Sequence, residues 1–278
     1  MISGATRVAG VIGDPVRHSL SPVLHNTAYR ELGLDWVYVA FEVPAGATVA
    51  AVEGARAFGL AGLSVTMPHK SAAADACDEL TADAALLHSV NTVTIAPDGR
   101  ACGESTDGEG FLRSVRETGH DVTGTVALVL GAGGAARAVA LALGRAGAAV
   151  RVAARRPNAA RDAAGPAGGD AVAWDERAAA AREADVVVNA TPIGMSPNAE
   201  VPVPLGSIGP QHLVVDLVYH PIDTALLAGA RGREARVVDG LGMLVHQAAL
   251  QVERWTGCEA PVAAMRAAAE DALRRTPA

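Results

Sequence analysis

The segment that most constrains this chain is Val126-Ala127-Leu128-Val129-Leu130, which runs straight into Gly131-Ala132-Gly133-Gly134-Ala135-Ala136. An apolar run without polar alternation belongs to a strand covered on both faces, as in a parallel sheet with helices on either side. A Gly-x-Gly is weak evidence alone, but between such a strand and a helix it has the context of a dinucleotide-binding turn. Gly131 permits the tight turn, Gly133 lets backbone approach a pyrophosphate, and Ala136 takes the third small position, where the helix packs on the strand. Ala132, Gly134 and Ala135 complete the turn, and the helix start offers unpaired N–H groups to the phosphates.

The next strand carries the choice of dinucleotide. About 20 residues beyond the glycines, an acid binds the ribose 2′-hydroxyl of NAD, whereas a base accepts the 2′-phosphate of NADP. Here the strand ends Ala153-Ala154-Arg155-Arg156-Pro157. No acid is present and two guanidiniums are, with forked donors suited to a phosphate. The cofactor expected is NADP.

Around this unit the chain alternates strand and helix. Strands are expected at Val8 to Ile12, Val37 to Glu42, Gly62 to Thr66 and Val90 to Ile95, with helices from Pro22 to Leu32, near Val49 to Phe58 and after Lys70. A turn is expected at Pro97-Asp98-Gly99. This order implies an α/β chain whose first domain has a mainly parallel sheet. From Thr125 a compact, doubly wound, Rossmann-type unit follows, with strands at Val126 to Leu130, Val150 to Ala154, Val186 to Asn189, Leu213 to Asp216 and Arg236 to Val238. Ala159 to Ala173 reads as helix plus surface loop. From Gly240 to Gly257, Leu241, Leu244, Val245, Ala248, Val252 and Trp255 fall at helical spacing. That length and stripe suggest a helix crossing back, so that C-terminal helices complete a discontinuous first domain.

Bulk properties narrow the function. A formal charge of -7 disfavours nucleic acid, which calls for clustered excess Lys and Arg. The three cysteines, Cys77, Cys102 and Cys258, show neither disulfide-framework nor zinc spacing, so a reducing compartment is the default and no metal site is suggested. No stretch reads as a targeting or membrane-spanning segment, so the expected location is cytoplasmic, with monomer or homodimer left open. Of the 23 basic residues only Lys70 is a lysine. Compositional drift towards Arg explains one survivor, but so does proton transfer, because an amine can lose its proton near neutral pH and a guanidinium cannot.

Several polar residues are ambiguous when taken singly. Ser19-Leu20-Ser21-Pro22 reads as a helix start with Ser21 as cap and Pro22 at the first helical position, and its hydroxyls beside helix N–H groups also suit a carboxylate. Asp107, in Ser105-Thr106-Asp107-Gly108, reads first as the cap of the helix after it. Alone, Lys70 is a surface residue, and Asn91 and Gln247 are ordinary polar ones.

Together the motifs change the reading. Ser19-Leu20-Ser21-Pro22, Val65-Thr66-Met67-Pro68-His69-Lys70, Val90-Asn91-Thr92, Thr106-Asp107-Gly108, Gly131 to Ala135, Asn189-Ala190-Thr191, Asp216 to Leu227 with Tyr219-His220-Pro221, and Gly240 to Gln247 occur in the order found in shikimate dehydrogenases, which the chain resembles from its first strand to its last helices. The resemblance implies a substrate-binding catalytic domain, 1–106 completed by 240–278, an NADP-binding Rossmann domain, 107–239, and substrate in the cleft between them. It implies Lys70 and Asp107 as the catalytic pair and Ser19, Ser21 and Tyr219 around the substrate carboxylate. Thr66, Asn91, Asp107 and Gln247 would bind or frame the ring and its hydroxyls, with Thr191, Leu217 and Gly240 near the nicotinamide.

The implied reaction is hydride transfer to the C3 carbonyl of 3-dehydroshikimate, giving shikimate for chorismate and aromatic amino acid biosynthesis. A protonated Lys70 would stabilise the charge growing on oxygen and deliver the proton. The chain departs from the family pattern at Ser64, often Asn, at Ala154-Arg155-Arg156, often Asn-Arg-Thr, and at Ala159, near which a base is common. Arg155 carries over from the family, whereas Arg156 is inferred from its charge alone. The rival readings are a quinate/shikimate dehydrogenase of broader specificity, usually with NAD, and a non-catalytic shikimate-binding regulatory protein.

Overall fold

The computed structural model describes residues 2–196 and 199–275. These divide into two compact units, one formed by the chain up to Thr106 and again from Gln247, the other by Asp107–His246. The division falls inside a helix, whereas the sequence expectation placed it at that helix's start.

The first unit runs β1 (Arg7–Gly13), α1 (Ser21–Glu31), β2 (Trp36–Glu42), α2 (Thr48–Ala57), β3 (Gly62–Val65), α3 (Lys70–Ala76), β4 (Glu79–Leu80), α4 (Ala82–Leu87), β5 (Thr92–Ile95) and β6 (Ala101–Glu104). The second begins with α5 (Asp107–Glu117) and continues through β7 (Val126–Leu130), α6 (Gly134–Arg145), β8 (Ala149–Ala154), α7 (Pro157–Ala164), β9 (Asp170–Ala173), α8 (Arg177–Arg182), β10 (Val186–Asn189), β11 (Leu213–Asp216), α9 (Ala225–Arg231) and β12 (Arg236–Val238). Then α10 (Gly240–Thr256) leads back to the first unit, where α11 (Val262–Arg275) packs on α1.

The first sheet is ordered β2-β1-β3-β5-β6-β4. It is parallel except at β5, which runs against β3 and β6. The hairpin joining β5 to β6 turns at Pro97-Asp98-Gly99, where Gly99 has φ +85°. Gly62 admits the Trp255 indole against β3, since a Cβ there would overlap the ring and the Val93 carbonyl.

The second sheet is entirely parallel, in the order β12-β11-β10-β7-β8-β9. The apolar run of β7 is explained by its two covered faces. Ala127 and Val129 pack with Val139, Leu143 and Phe111, while Leu128 and Leu130 pack with Leu226, Leu227 and Ala181. Edge strand β9 lies within the segment read as surface loop, so that expectation is corrected.

A second correction concerns Ser21. The cap position of α1 is Leu20, already helical at φ -81° and ψ -7°, and no side chain caps it there. Ser21 is therefore the first helical residue, and the Ser19 hydroxyl accepts its N–H at 3.2 Å. Buried Leu20 holds the cap position, so the helix starts one residue earlier than expected, and its first N–H is taken by the Ser19 hydroxyl instead of by a cap side chain.

Behind this turn His25 is fully buried, stacked on Tyr38 at 4.0 Å between ring centroids and tilted against Trp255. Its Nδ1 lies 2.9 Å from the Ser21 carbonyl, which can only accept, so Nδ1 carries the proton and donates. Burial pushes the imidazole down to about 4, against the opposing pull of the Ser21 carbonyl and Gln251. Because the folded pKa is depressed, His25 supports the fold fully above the unfolded value, about 6.5, and progressively less as pH falls towards 4. We expect urea titrations to lose about 3 kcal/mol from this residue between pH 6.5 and 4, a loss that disappears in His25→Phe.

Candidate active site

Topology brings the candidate residues of the first unit to one end of its sheet. Ser19 and Ser21 follow β1, Thr66 and Lys70 follow β3, and Asn91 precedes β5, whose reversed direction returns it to the same end. Thr106, after β6, joins them. The carboxyl ends of strands in an α/β sheet are where ligands collect.

Lys70 opens α3 and is half-buried. Its carbonyl accepts the Val90 N–H at 2.9 Å, which ties the lysine's main chain to the residue before Asn91. The turn carrying Lys70 is held by His69, buried and in contact on both sides. Nε2 donates to the Val43 carbonyl at 2.8 Å, and Nδ1 meets the Thr48 hydroxyl at 2.9 Å. Asn91 is buried, its carboxamide facing Thr106, whose hydroxyl donates to the Gln247 carbonyl at 3.2 Å. Ser64, at the position where an Asn was expected, is 6% exposed and holds hydrogen bonds to Tyr38 and Gln251.

The second unit presents Asp107 and the cofactor residues. Asp107 is buried at the start of α5, and Gly108 after it lets α5 approach α6, because a Cβ there would lie 2.8 Å from the Ala138 carbonyl. Gly131 has φ +115°, and a Cβ on it would press against Ala190 and Thr191. Gly133 is the extended cap of α6, with no side-chain cap and open space where a Cβ would stand. Arg155 and Arg156 are both exposed directly after β8. Thr191, Leu217 and Gly240 follow β10, β11 and β12, so the whole set lies at the carboxyl end of the parallel sheet. Gly240 is required where it stands, since any side chain would strike the Leu217 and Val218 carbonyls. Tyr219 is half-buried, and burial raises its phenol.

Two buried residues that sequence reasoning left without a role organise this end. Asn189 donates to Asp216 at 2.8 Å, and its side-chain oxygen Oδ1 accepts the Thr191 N–H and hydroxyl. Asp216 also accepts from the Val218 N–H and the Thr224 hydroxyl. Burial raises the Asp216 carboxyl, against the pull of these donors. The pair therefore fixes the loops carrying Thr191 and Leu217. We expect Asp216→Ala to leave those donors without an acceptor and lower unfolding stability by about 3 kcal/mol in urea titrations.

A helix start without a side-chain cap, open space above Gly133, and paired guanidiniums at the end of the adjacent strand fit a dinucleotide bearing a 2′-phosphate. The fold and these residues define a dinucleotide-dependent α/β oxidoreductase.

Comparison with known proteins gives the particular family. Residues 11–93 match the shikimate dehydrogenase substrate binding domain, residues 240–270 the shikimate 5'-dehydrogenase C-terminal domain, and residues 125–219 the coenzyme F420-dependent NADP oxidoreductases. The chain is 47% identical to the shikimate dehydrogenase (NADP(+)) of Methanopyrus kandleri, covering 98% of both chains. It superposes with a TM-score of 0.92 on a shikimate dehydrogenase solved with NADP+, at 37% identity and 98% coverage of each chain. For the Thermus thermophilus shikimate 5-dehydrogenase solved with NADP(H) and shikimate, the TM-score is 0.90 at 38% identity, covering 96% of this chain and 100% of that one. The chain belongs to the NADP-dependent shikimate dehydrogenase family.

Among the described residues no helix is long and apolar enough to cross a membrane, and the three cysteines are free.

Proposed function

We propose that Lys70 and Asp107 are the catalytic pair of this enzyme, with the first unit as its substrate domain and the second as its NADP domain. The family activity is the NADP-dependent reduction of 3-dehydroshikimate to shikimate in aromatic biosynthesis. The observation that carries the residue assignment is the gathering of the chain's single lysine with Thr66, Asn91 and the Ser19-Ser21 turn at one end of the first sheet. We place the enzyme in the cytoplasm, acting as monomer or homodimer.

When bound, the reduced nicotinamide supplies the hydride. Gly131 to Ala135 and the start of α6 would hold the pyrophosphate, Arg155 and Arg156 the 2′-phosphate, and Thr191, Leu217 and Gly240 the nicotinamide end. Lys70 as ammonium stabilises the charge growing on the C3 oxygen and gives that oxygen its proton, while Asp107 orients the amine and a ring hydroxyl. In the oxidative direction Lys70 takes the proton back. Ser19, Ser21 and Tyr219 bind the carboxylate by hydroxyl donors, and Thr66, Asn91 and Gln247 frame the ring.

The test is the initial rate of oxidation of shikimate and of quinate, each with NADP and with NAD. Turnover concentrated in the shikimate and NADP pairing supports this reading. Preference for quinate with NAD replaces it with the broader-specificity enzyme, and binding without turnover in every pairing replaces it with a shikimate-binding protein.

A further inference from the structure

Behind Asn91 lies a buried polar chain whose hydrogen-bond direction is set by two backbone groups. The Thr106 N–H can only donate, and it lies 2.8 Å from one end of the Asn91 carboxamide, which must therefore be the oxygen. Thr92 Oγ1 is 2.8 Å from that same oxygen, so the Thr92 hydroxyl donates to it. A hydroxyl has one hydrogen, so Thr92 must accept from its other close neighbour, the Gln251 carboxamide at 2.9 Å. The Gln251 atom doing so also lies 3.4 Å from the Asn91 main-chain carbonyl, which can only accept, and this independently identifies it as Nε2. Gln251 Oε1 then takes the Ser64 hydroxyl at 2.6 Å, and Ser64 accepts from the Tyr38 phenol at 2.5 Å.

We propose that Gln251 is a positioning residue for the reaction, holding both the main chain of Asn91 and, through Thr92, the polarity of its carboxamide. The inference rests on the assignment of Asn91 to the ring site. Gln251 is 1% exposed and lies one helical turn beyond Gln247 on α10, so it acts through its neighbours. With the Asn91 oxygen taken up by Thr106 and Thr92, and one Nδ2 hydrogen given to the Thr106 hydroxyl at 3.0 Å, the carboxamide is held with its nitrogen, not its oxygen, as the donor side. A Gln251 that supplies no N–H leaves the Thr92 hydroxyl without the donor that turns it towards Asn91. It also removes the second, longer donor to the Asn91 carbonyl, which keeps the Val65 N–H at 2.7 Å.

The experiment compares Gln251→Met, which keeps volume and removes the N–H together with the oxygen that accepts Ser64, with Thr92→Val, which leaves Ser64 untouched, Thr92→Ser and the Gln251→Met/Thr92→Val double variant, by steady-state shikimate oxidation with NADP. We expect KM for shikimate to rise on the order of tenfold in Gln251→Met and in Thr92→Val, with kcat and KM for NADP changed by less than about twofold. Thr92→Ser retains the hydroxyl and should restore the unaltered KM. Because the two side chains share one relay, the double variant should be no worse than about tenfold rather than multiplying to a hundredfold. Shikimate KM unchanged in Gln251→Met and Thr92→Val overturns the proposal. So does a rise matched by equal changes in kcat and KM for NADP, as general loosening would give. Should Gln251→Met not fold, the Thr92→Val and Thr92→Ser pair decides alone. Absence of shikimate turnover in the unaltered protein would instead remove the functional reading, a separate failure.

Discussion

Lys70→Ala should lower kcat for shikimate oxidation by about 10²–10⁴-fold, the range of a general acid–base group, while KM for NADP stays close to that of the unaltered enzyme. The separation follows from position: Lys70 opens α3 in the first unit, whereas Gly131 to Ala135 and Arg155-Arg156, proposed to hold the dinucleotide, belong to the second. Lys70→Arg keeps the charge and should be almost as inactive, because a guanidinium holds its proton at working pH and cannot take up the substrate's. Steady-state kinetics of both variants check this, with thermal unfolding as control for the His69-anchored turn. Near-normal turnover in Lys70→Arg would mean that charge alone suffices and that the proton moves elsewhere.

Replacing Arg155 and Arg156 together by alanine should lower the preference for NADP over NAD on the order of a hundredfold, by raising KM for NADP with little change for NAD. In the proposed placement, each guanidinium would give charge-assisted hydrogen bonds that a 2′-phosphate accepts and a 2′-hydroxyl cannot match. Both side chains are exposed at the end of β8, and Arg156 stands at the cap of α7, so their removal disturbs no buried contact. The single variants separate their shares: Arg155 rests on family resemblance and charge, Arg156 on charge alone. An unchanged cofactor ratio in the double variant would assign the 2′-phosphate to other groups.

What could be read in advance depended on how strongly burial writes itself into local sequence. β7 was legible because both faces are covered, which demands an unbroken apolar run. β9 was not, since an edge strand of the sequence Asp-Ala-Val-Ala, largely exposed, has the composition of a loop. β4 has only two residues, and β6, Ala-Cys-Gly-Glu, owes its place to pairing with β5 and β4 rather than to its own pattern. The Ser19-Leu20-Ser21-Pro22 turn was located correctly and its capping atom misassigned, because burial of Leu20 is a tertiary fact.

The candidate site divides in the same way. Residues expected to meet ligand fall within short motifs and could be named from them. Those that hold them in place, His25, His69, Asn189, Asp216 and Gln251, are polar side chains deep in the protein, which in one dimension look like surface residues. Gln251 did leave a trace. It follows Leu244 and Ala248 at seven and three residues, on the apolar side of α10, and a glutamine at that spacing signals a buried partner.

The central claim is tested most directly by incubating the unaltered protein with 3-dehydroshikimate and NADPH while following nicotinamide absorbance and identifying the product. One NADPH should be oxidised for each shikimate formed. Tight binding of 3-dehydroshikimate with no NADPH consumed would contradict the claim.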